Sequence, residues 1–330
     1  MAADHTPAPD SIAVVSGGVG AARFLRGLIA AVPDPSTVTA VVNTGDDCVL
    51  HGLSISPDLD TITYTLAGAI DPVRGWGLVD ETWNAMAALE RFAAVRPAGS
   101  SAAPRWFNLG DRDLATHFYR TARLAEGATP TDVADEIRRA WGVPIRIVPM
   151  TDDRLATMIT VVVDGAETEV TFQDYFVRLR HDVPVTGVRF AGDAGLSQTA
   201  ADALDAEVVV IAPSNPLVSI GPIRSLPGVD ARLAARRDTV VAVSPIVGGA
   251  ALKGPADRML ADAGIDASVV GVAELYAPVA GTLVVDRVDA DLAPRVEAAG
   301  MRCVVTDTVM SSPAIAAALA AATIAAARRS

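Results

Sequence analysis

Short apolar runs alternate along the chain with glycine turns and longer stretches of helical character. Residues 11–15 form such a run, closed by Gly17 and Gly18, and read as a buried strand. Residues 21–31 are helical in pattern and stop before Pro33, and 38–42 give a second buried strand. Strand, glycine turn, helix and strand make a βαβ unit, whose strands run parallel. Residues 61–70, 81–95, 114–124 and 131–141 predict helices, the last closed by Gly142 and Pro144, and 145–148 return to strand. Two β-rich runs, 156–163 and 167–172, flank Asp164-Gly165, a hairpin signal. From Val185 the α/β alternation is expected to resume, with strands at 208–211, 240–243 and 283–285 and an outer one at 302–305. No repeat and no low-complexity linker divides the chain. The expected fold is α/β: a doubly wound, mostly parallel Rossmann-like sheet within residues 11–330, with a helical insertion near 59–142 and a small β-hairpin subdomain near 155–176. Residues 1–10 are expected to form a flexible tail.

Composition narrows the function. The 330 residues are 51% hydrophobic and 20% charged, a globular balance with material for a large core. A net charge of −12 argues against a nucleic-acid-coating surface, which needs clustered Lys and Arg. It leaves room for an anionic small ligand, held by backbone amides or a metal. Cys48 and Cys303 are too few for a disulfide scaffold or a cysteine zinc site. No basic region followed by an apolar run opens the chain, so no secretion signal and a cytoplasmic location are expected. The Ala-rich stretch 314–327 falls short of the roughly 20 residues of a membrane span and reads as a packed C-terminal helix.

Ligands of open parallel sheets bind outside the carboxyl ends of the strands, and six unusual loops fall there. Ser16-Gly17-Gly18-Val19-Gly20-Ala21-Ala22-Arg23 follows the first strand and opens a helix, whose free N–H groups suit an anion. It is neither a P-loop nor Gly-x-Gly-x-x-Gly, and a tight turn without ligand is the plain alternative. Asn43-Thr44-Gly45-Asp46-Asp47 ends the second strand; the adjacent acids face different ways, one towards a metal or hydroxyl and the other towards solvent. Asp58 and Asp60, just before a helix, suit either Mg²⁺ or a capping role. Four acids on adjacent loops favour a metal. Asn108-Leu109-Gly110-Asp111-Arg112-Asp113, before a helix, reads either as a capping network or, with Trp106 and Phe107 beside it, as a wall that flanks a flat ring. Pro213-Ser214-Asn215-Pro216, and Ser244 to Gly249 followed by Lys253-Gly254-Pro255, suit a nucleotide. The histidines His5, His51, His117 and His181 include no close zinc pair.

Together these motifs resemble the 2-phospho-L-lactate transferase family of coenzyme F-420 biosynthesis, called CofD in archaea and FbiA in many actinobacteria. The matching segments are Ser-Gly-Gly-x-Gly at 16–20, Asn-Thr-Gly-Asp-Asp at 43–47, Ile-Ser-Pro-Asp-x-Asp-Thr at 55–61 and Leu-Gly-Asp-Arg-Asp at 109–113. Pro-Met-Thr-Asp-Asp at 149–153, Phe-Gln-Asp-Tyr at 172–175, Pro-Ser-Asn-Pro at 213–216, Val-Ser-Pro-Ile at 243–246 and Lys-Gly-Pro-Ala at 253–256 complete the set. Arg23 stands where many relatives carry Lys, and Asn108 where some carry a basic residue.

The resemblance implies Mg²⁺-dependent transfer of a phosphoenolpyruvyl or 2-phospholactyl group from a guanosine diphosphate-linked donor to the deazaflavin Fo. The products would be dehydro-F-420-0 or F-420-0 and GMP. On that reading Asp46 and Asp60 face the metal, and Asp46, Asp58 and Asp60 form the catalytic set. Gly17, Gly18, Gly20, Arg23, Ser214, Asn215, Ser244, Gly248 and Lys253 hold the nucleotide. Asn43, His51, Asp60, Trp76, Trp83, Asn108, Leu109 and Gly110 hold Fo. The implied partners are these small molecules, a second copy in a homodimer and a donor-making guanylyltransferase, with no nucleic acid and no membrane. Two rivals remain at this point: an NAD(P)-dependent oxidoreductase, suggested by the βαβ unit, and a nucleotide-sugar-binding regulator of the same fold.

Overall fold

The computed structural model describes residues 9–327 except 99, 101 and 105. The flexible-tail expectation for 1–10 falls almost wholly outside the described residues. The strands in chain order are β1 (Ile12–Ser16), β2 (Val38–Val42), β3 (Cys48–Leu50), β4 (Leu53–Ile55), β5 (Arg146–Pro149), β6 (Ala156–Val163) and β7 (Ala166–Thr171). They continue with β8 (Val185–Ala191), β9 (Val208–Ile211), β10 (Val240–Val243), β11 (Ile246–Val247), β12 (Ala250–Ala251), β13 (Thr282–Asp286) and β14 (Arg302–Thr306).

Seven strands form the main sheet in the order β14-β13-β10-β9-β1-β2-β5. Every neighbouring pair in it is parallel. β1, β9 and β10 are buried along their whole length, because helices cover both faces. The period of two sorts their side chains between two cores: Ala13 and Val15 belong to one, Ile12 and Val14 to the other. The chain leaves β1 towards β2 and β5 on one side, then returns to β9, β10, β13 and β14 on the other. The order therefore reverses between β1 and β9. Their carboxyl ends border the crevice where open α/β sheets bind ligands.

Four helices lie between β4 and β5: α2 (Pro57–Leu66), α3 (Asn84–Ala93), α4 (Asp113–Ala125) and α5 (Pro130–Ala140). The first, α1 (Gly18–Ala31), follows β1. The Ala-rich C-terminal helix, Pro313–Ala327, packs on α1, so closely that a Cβ on Gly27 would lie 2.4 Å from the Ala316 carbonyl oxygen. Among the described residues no helix is long and apolar enough to cross a membrane.

The hairpin β6–β7 turns at Asp164 and Gly165, both at positive φ, as a two-residue turn of that chemistry requires. One expectation is overturned. Residues from Val185 do not resume the α/β alternation; β8 pairs antiparallel with β6 and completes a three-stranded sheet of order β7-β6-β8. β6 alternates between buried and half-buried positions while β7 and β8 are mostly exposed or half-buried, a sheet with one wet face, which a short Val-rich run does not distinguish from a buried parallel strand.

Candidate active site

The crevice at the β1/β9 reversal opens into a cleft of about 830 Å³. Its floor is the turn into α1. Gly17 has no side chain to cap α1; the Asp58 carboxylate takes the Gly18 N–H, and the N–H groups that follow in this 14-residue helix are left for an anion. Close approach explains two glycines: a Cβ on Gly20 would lie 2.1 Å from the Pro213 carbonyl oxygen, and one on Gly17 2.8 Å from Ser219 Cβ. The Ser214 hydroxyl donates to the Gly17 carbonyl at 2.7 Å, fastening the β9 loop to the β1 loop.

Asn43 organises the acids. Its backbone N–H donates to the Ser16 carbonyl at 2.9 Å, and its Oδ1 accepts from Gly45 N–H at 2.8 Å. Its Nδ2 donates to Asp46 Oδ2 at 3.2 Å and to Asp58 Oδ2 at 3.0 Å. Two carboxylates thus share one amide, beside the glycine turn. The second oxygen of Asp46 is buried without a well-formed hydrogen bond, beside the Thr157 hydroxyl, which holds the carboxyl down slightly. Burial pushes the Asp46 carboxyl well above the usual carboxylate range, and the nearby Asp58 charge adds to it. Burial also raises Asp58, to about 6, although Asn43 and the Gly18 backbone pull it down.

Asp47 does face away from Asp46, but not towards solvent. Its Oδ2 accepts from the Ser56 hydroxyl at 2.7 Å and its Oδ1 is buried without a partner. Burial raises it to about 8. It lines a separate cavity of about 200 Å³ behind the cleft, together with Arg120 and Thr151.

Asp60 sits in the first turn of α2, because the helix already starts at Pro57. Both of its oxygens accept from the buried Arg120 guanidinium of α4, one from Nη1 at 3.1 Å and the other from Nη2. His117, 1% exposed, stands between two acids, with Nδ1 3.8 Å from Asp60 and Nε2 3.3 Å from Asp113. Asp113 in turn accepts from the Tyr64 hydroxyl at 2.6 Å.

Most other expected residues meet at the same cleft. Gly17, Gly18, Gly20, Arg23, Asp46, Asp58, Asp60, Trp76, Asn108, Leu109, Ser214, Asn215, Ser244 and Lys253 all line it. Asn43, His51, Trp83, Gly110 and Gly248 are not among its lining. Asn43 lies wholly buried behind the acids it binds. His51 occupies the β3–β4 turn at positive φ, with Gly52 beside it. Trp83 packs under the Arg74 guanidinium, 5.0 Å from its ring centre. Gly110 makes room for Glu81, whose carboxylate accepts from the Arg112 and Asp113 N–H groups, each at 2.9 Å, at the start of α4. Gly248 N–H donates to Asp289 at 3.0 Å. The Ser244 hydroxyl is engaged in its own turn with Ile246.

Sequence reasoning missed the partner of Asp60. The signal was there: Asp113, His117 and Arg120 stand at i, i+4 and i+7, one face of α4. It also missed the π-helical turn Asp174–Arg178, within which Phe176 stacks on Phe172 at 5.5 Å and on His181 at 5.1 Å, along the cleft wall. No single-residue pattern announces a π turn.

Fold and site together define an α/β protein with an anion-binding glycine turn and paired carboxylates at the switch point of its sheet. The model of the family 2-phospho-L-lactate transferase CofD matches residues 12–320, and the chain belongs to that family of transferases. It is similar to a phosphoenolpyruvate transferase of Streptomyces coelicolor, 44% identical over 299 residues that cover 88% of this chain and 90% of that one. A protein of the same description from Streptomyces griseus is 41% identical, with 94% and 96% covered. One from Mycobacterium tuberculosis is also 41% identical, with 83% and 86% covered. Among solved structures, a UPF0052-family protein of Bacillus halodurans superposes with a TM-score of 0.58 at 16% identity, covering 96% of this chain and 99% of that one, a likeness of fold.

Proposed function

We propose that this chain transfers a phosphoenolpyruvyl group from a guanosine diphosphate-linked donor to the terminal ribityl hydroxyl of Fo, releasing GMP, in coenzyme F-420 biosynthesis. The observation that carries the reading is the meeting of the glycine turn with Asp46 and Asp58 in one cleft that Trp76, Trp106 and Phe107 also line. The relatives described as phosphoenolpyruvate transferases favour the enolpyruvyl over the lactyl donor.

Phosphoryl transfer asks for positioning and charge neutralisation rather than covalent help. The Val19 and Gly20 backbone and Arg23 would bind the diphosphate. The residues fit a hard divalent cation such as Mg²⁺: two carboxylates share one amide, and a buried Asp46 oxygen lacks a well-formed hydrogen bond. A cation held by two carboxylates would fill the rest of its shell with water and substrate phosphate oxygens. Held by Asp46 and Asp58, it would neutralise charge on the diphosphate. Asp60, whose two oxygens are fixed by Arg120, would accept a hydrogen bond from the attacking hydroxyl. This changes the expected metal pair from Asp46 and Asp60 to Asp46 and Asp58. Trp106 and Phe107, edge to face at 5.7 Å, would border the flat deazaflavin ring.

The test is incubation of the purified protein with Fo, Mg²⁺ and a guanylylated donor made from either phosphoenolpyruvate or phospholactate, with products read by mass. A product lighter than F-420-0 by one pair of hydrogens, from the phosphoenolpyruvate arm, is expected. Product from the phospholactate arm alone would reassign the donor, and none from either would remove the transferase reading. Asp46→Asn should lower turnover by about 100-fold or more, as for loss of a preorganised electrostatic group.

A further inference from the structure

Lys253 is the one lysine in a chain whose other basic residues, of 27 Lys and Arg in total, are all arginine. It lies just after β12 on an exposed segment, with Gly254 beside it and Gly248 and Gly249 of the β11–β12 turn all at positive φ. Its ammonium reaches across the cleft mouth to the loop before α3. A Cβ on Gly75 would fall 2.6 Å from Lys253 Nζ, and Gly75 itself has φ +75°. Among the described residues, no hydrogen bond or ion pair engages Lys253. Two other cations of the cleft lining, Arg23 and Arg180, are likewise free of partners. Most arginines elsewhere are paired, as Arg120, Arg123, Arg138, Arg189 and Arg224 illustrate.

Position separates the three. Arg23 belongs to α1, beside the glycine turn that serves the diphosphate. Arg180 lies within the chain segment of the Phe172–Phe176–His181 stack, just before His181. Lys253 joins the segment after β12, on the β10 side of the cleft, to the Trp76 loop of the helical insertion. The transferred group has to pass between those two sides. It carries a carboxylate, which neither the glycine turn nor the paired acids can neutralise. The slot over Gly75 admits a compact ammonium, whereas a planar guanidinium presents a wider fork.

We propose that Lys253 is the specificity-determining cation that binds the carboxylate of the transferred three-carbon acid, in the slot left open by Gly75. This rests on the transferase reading above and moves Lys253 from nucleotide binding to acid recognition.

A chain with one ε-amine allows a direct test. Lys253 is acylated with an amine-selective reagent, and the rate is read by peptide mass spectrometry, apart from the α-amine. GMP and phosphoenolpyruvate together supply both halves of the donor. We expect the pair to slow acylation of Lys253 by about tenfold, and GMP with inorganic phosphate to leave it unchanged. Equal protection by phosphate or by GMP alone would make Lys253 a phosphate ligand and overturn the proposal, as would no protection by any of them. Lys253→Met should raise donor KM by about tenfold to a hundredfold, the range for a lost charge-assisted hydrogen bond, with a smaller change in kcat. Gly75→Ala should raise it in the same direction by crowding the slot, and Lys253→Arg should rescue only in part. An unchanged donor KM in Lys253→Met, with transfer intact, would sink the inference and leave the transferase reading standing.

Discussion

The two sides of the cleft are built differently. The β1/β9 side hangs from buried parallel strands, and its loops are fastened to each other by Ser214–Gly17 and Asn43–Ser16. The opposite side belongs to α3, α4 and the loops that flank α3, whereas α2 packs on α1 and goes with the first side. There α3 has no buried residue, Trp76 is 48% exposed and Phe92 55%. The contrast has a physical logic. Charge chemistry at phosphorus is sensitive to small displacements, so its groups stand on elements that cannot shift without disturbing a packed core. A large flat ring is held by contact area, which a softer wall can supply.

The two sides meet at Asp60 and Arg120, and the largest effect is expected there. Asp60→Asn leaves the Arg120 guanidinium buried with its charge uncompensated. Breaking such a pair by removing one partner costs about 3–5 kcal/mol. Denaturant unfolding should show a loss of that size, together with lost turnover. Replacing both by apolar residues, Asp60→Leu with Arg120→Met, should recover much of the stability and none of the turnover. A stability loss below about 1 kcal/mol in Asp60→Asn would mean that the two walls are not joined through this pair.

A smaller effect distinguishes the acids of the rigid wall by pH. Burial raises both Asp58, to about 6, and Asp47, to about 8, above the usual carboxylate value. A carboxyl raised on folding favours the folded state when protonated. Its contribution is therefore full below about 4, and is lost as pH rises to the folded value. Asp111 and Glu136, held down at about 2 by hydrogen bonds, act in the opposite sense, and their contribution is lost as pH falls towards 2. In chelator the melting temperature should peak near pH 4 to 5 and decline towards pH 8. Asp47→Asn should flatten the upper part of that decline, between about 6 and 8. Mg²⁺ should raise melting temperature more at pH 8 than at pH 5, since it favours ionised Asp46 and Asp58. A flat profile in chelator would show these acids to be hydrated rather than buried.

The same contrast explains what was legible in the sequence. β2, β9 and β10 lie where the apolar runs predicted them, because a strand buried on both faces leaves an uninterrupted run. The glycines at 17 and 20 were legible for a related reason: close backbone approach tolerates no substitute. β8 was misplaced because its pairing partner is set by tertiary context. The ring-side residues were the least legible. His51, Trp83 and Gly110 carry suggestive chemistry next to motif segments, yet one makes a hairpin turn, one supports Arg74 and one gives Glu81 room to cap α4. Proximity in sequence to a motif does not specify which face of a loop a side chain occupies.

The smallest expected effect probes that softer wall directly. Leu28 of α1 is 0% exposed within the core beneath the sheet, and Leu28→Ala should cost about 2–5 kcal/mol as cavity and transfer contributions combine. Phe92→Ser, at a comparably large side chain on α3, should change stability by no more than about 0.5 kcal/mol, the range for surface positions. Chemical denaturation of the two variants at low protein concentration gives the comparison. Native-state hydrogen exchange should rank the segments the same way, with α3 amides opening at far lower free energy than those of α1. A loss of 2 kcal/mol or more for Phe92→Ser would break the contrast. It would mean that α3 is covered in solution. Repeating the unfolding at higher protein concentration would then decide whether the cover is a second copy of the chain, because only association makes the midpoint rise with concentration.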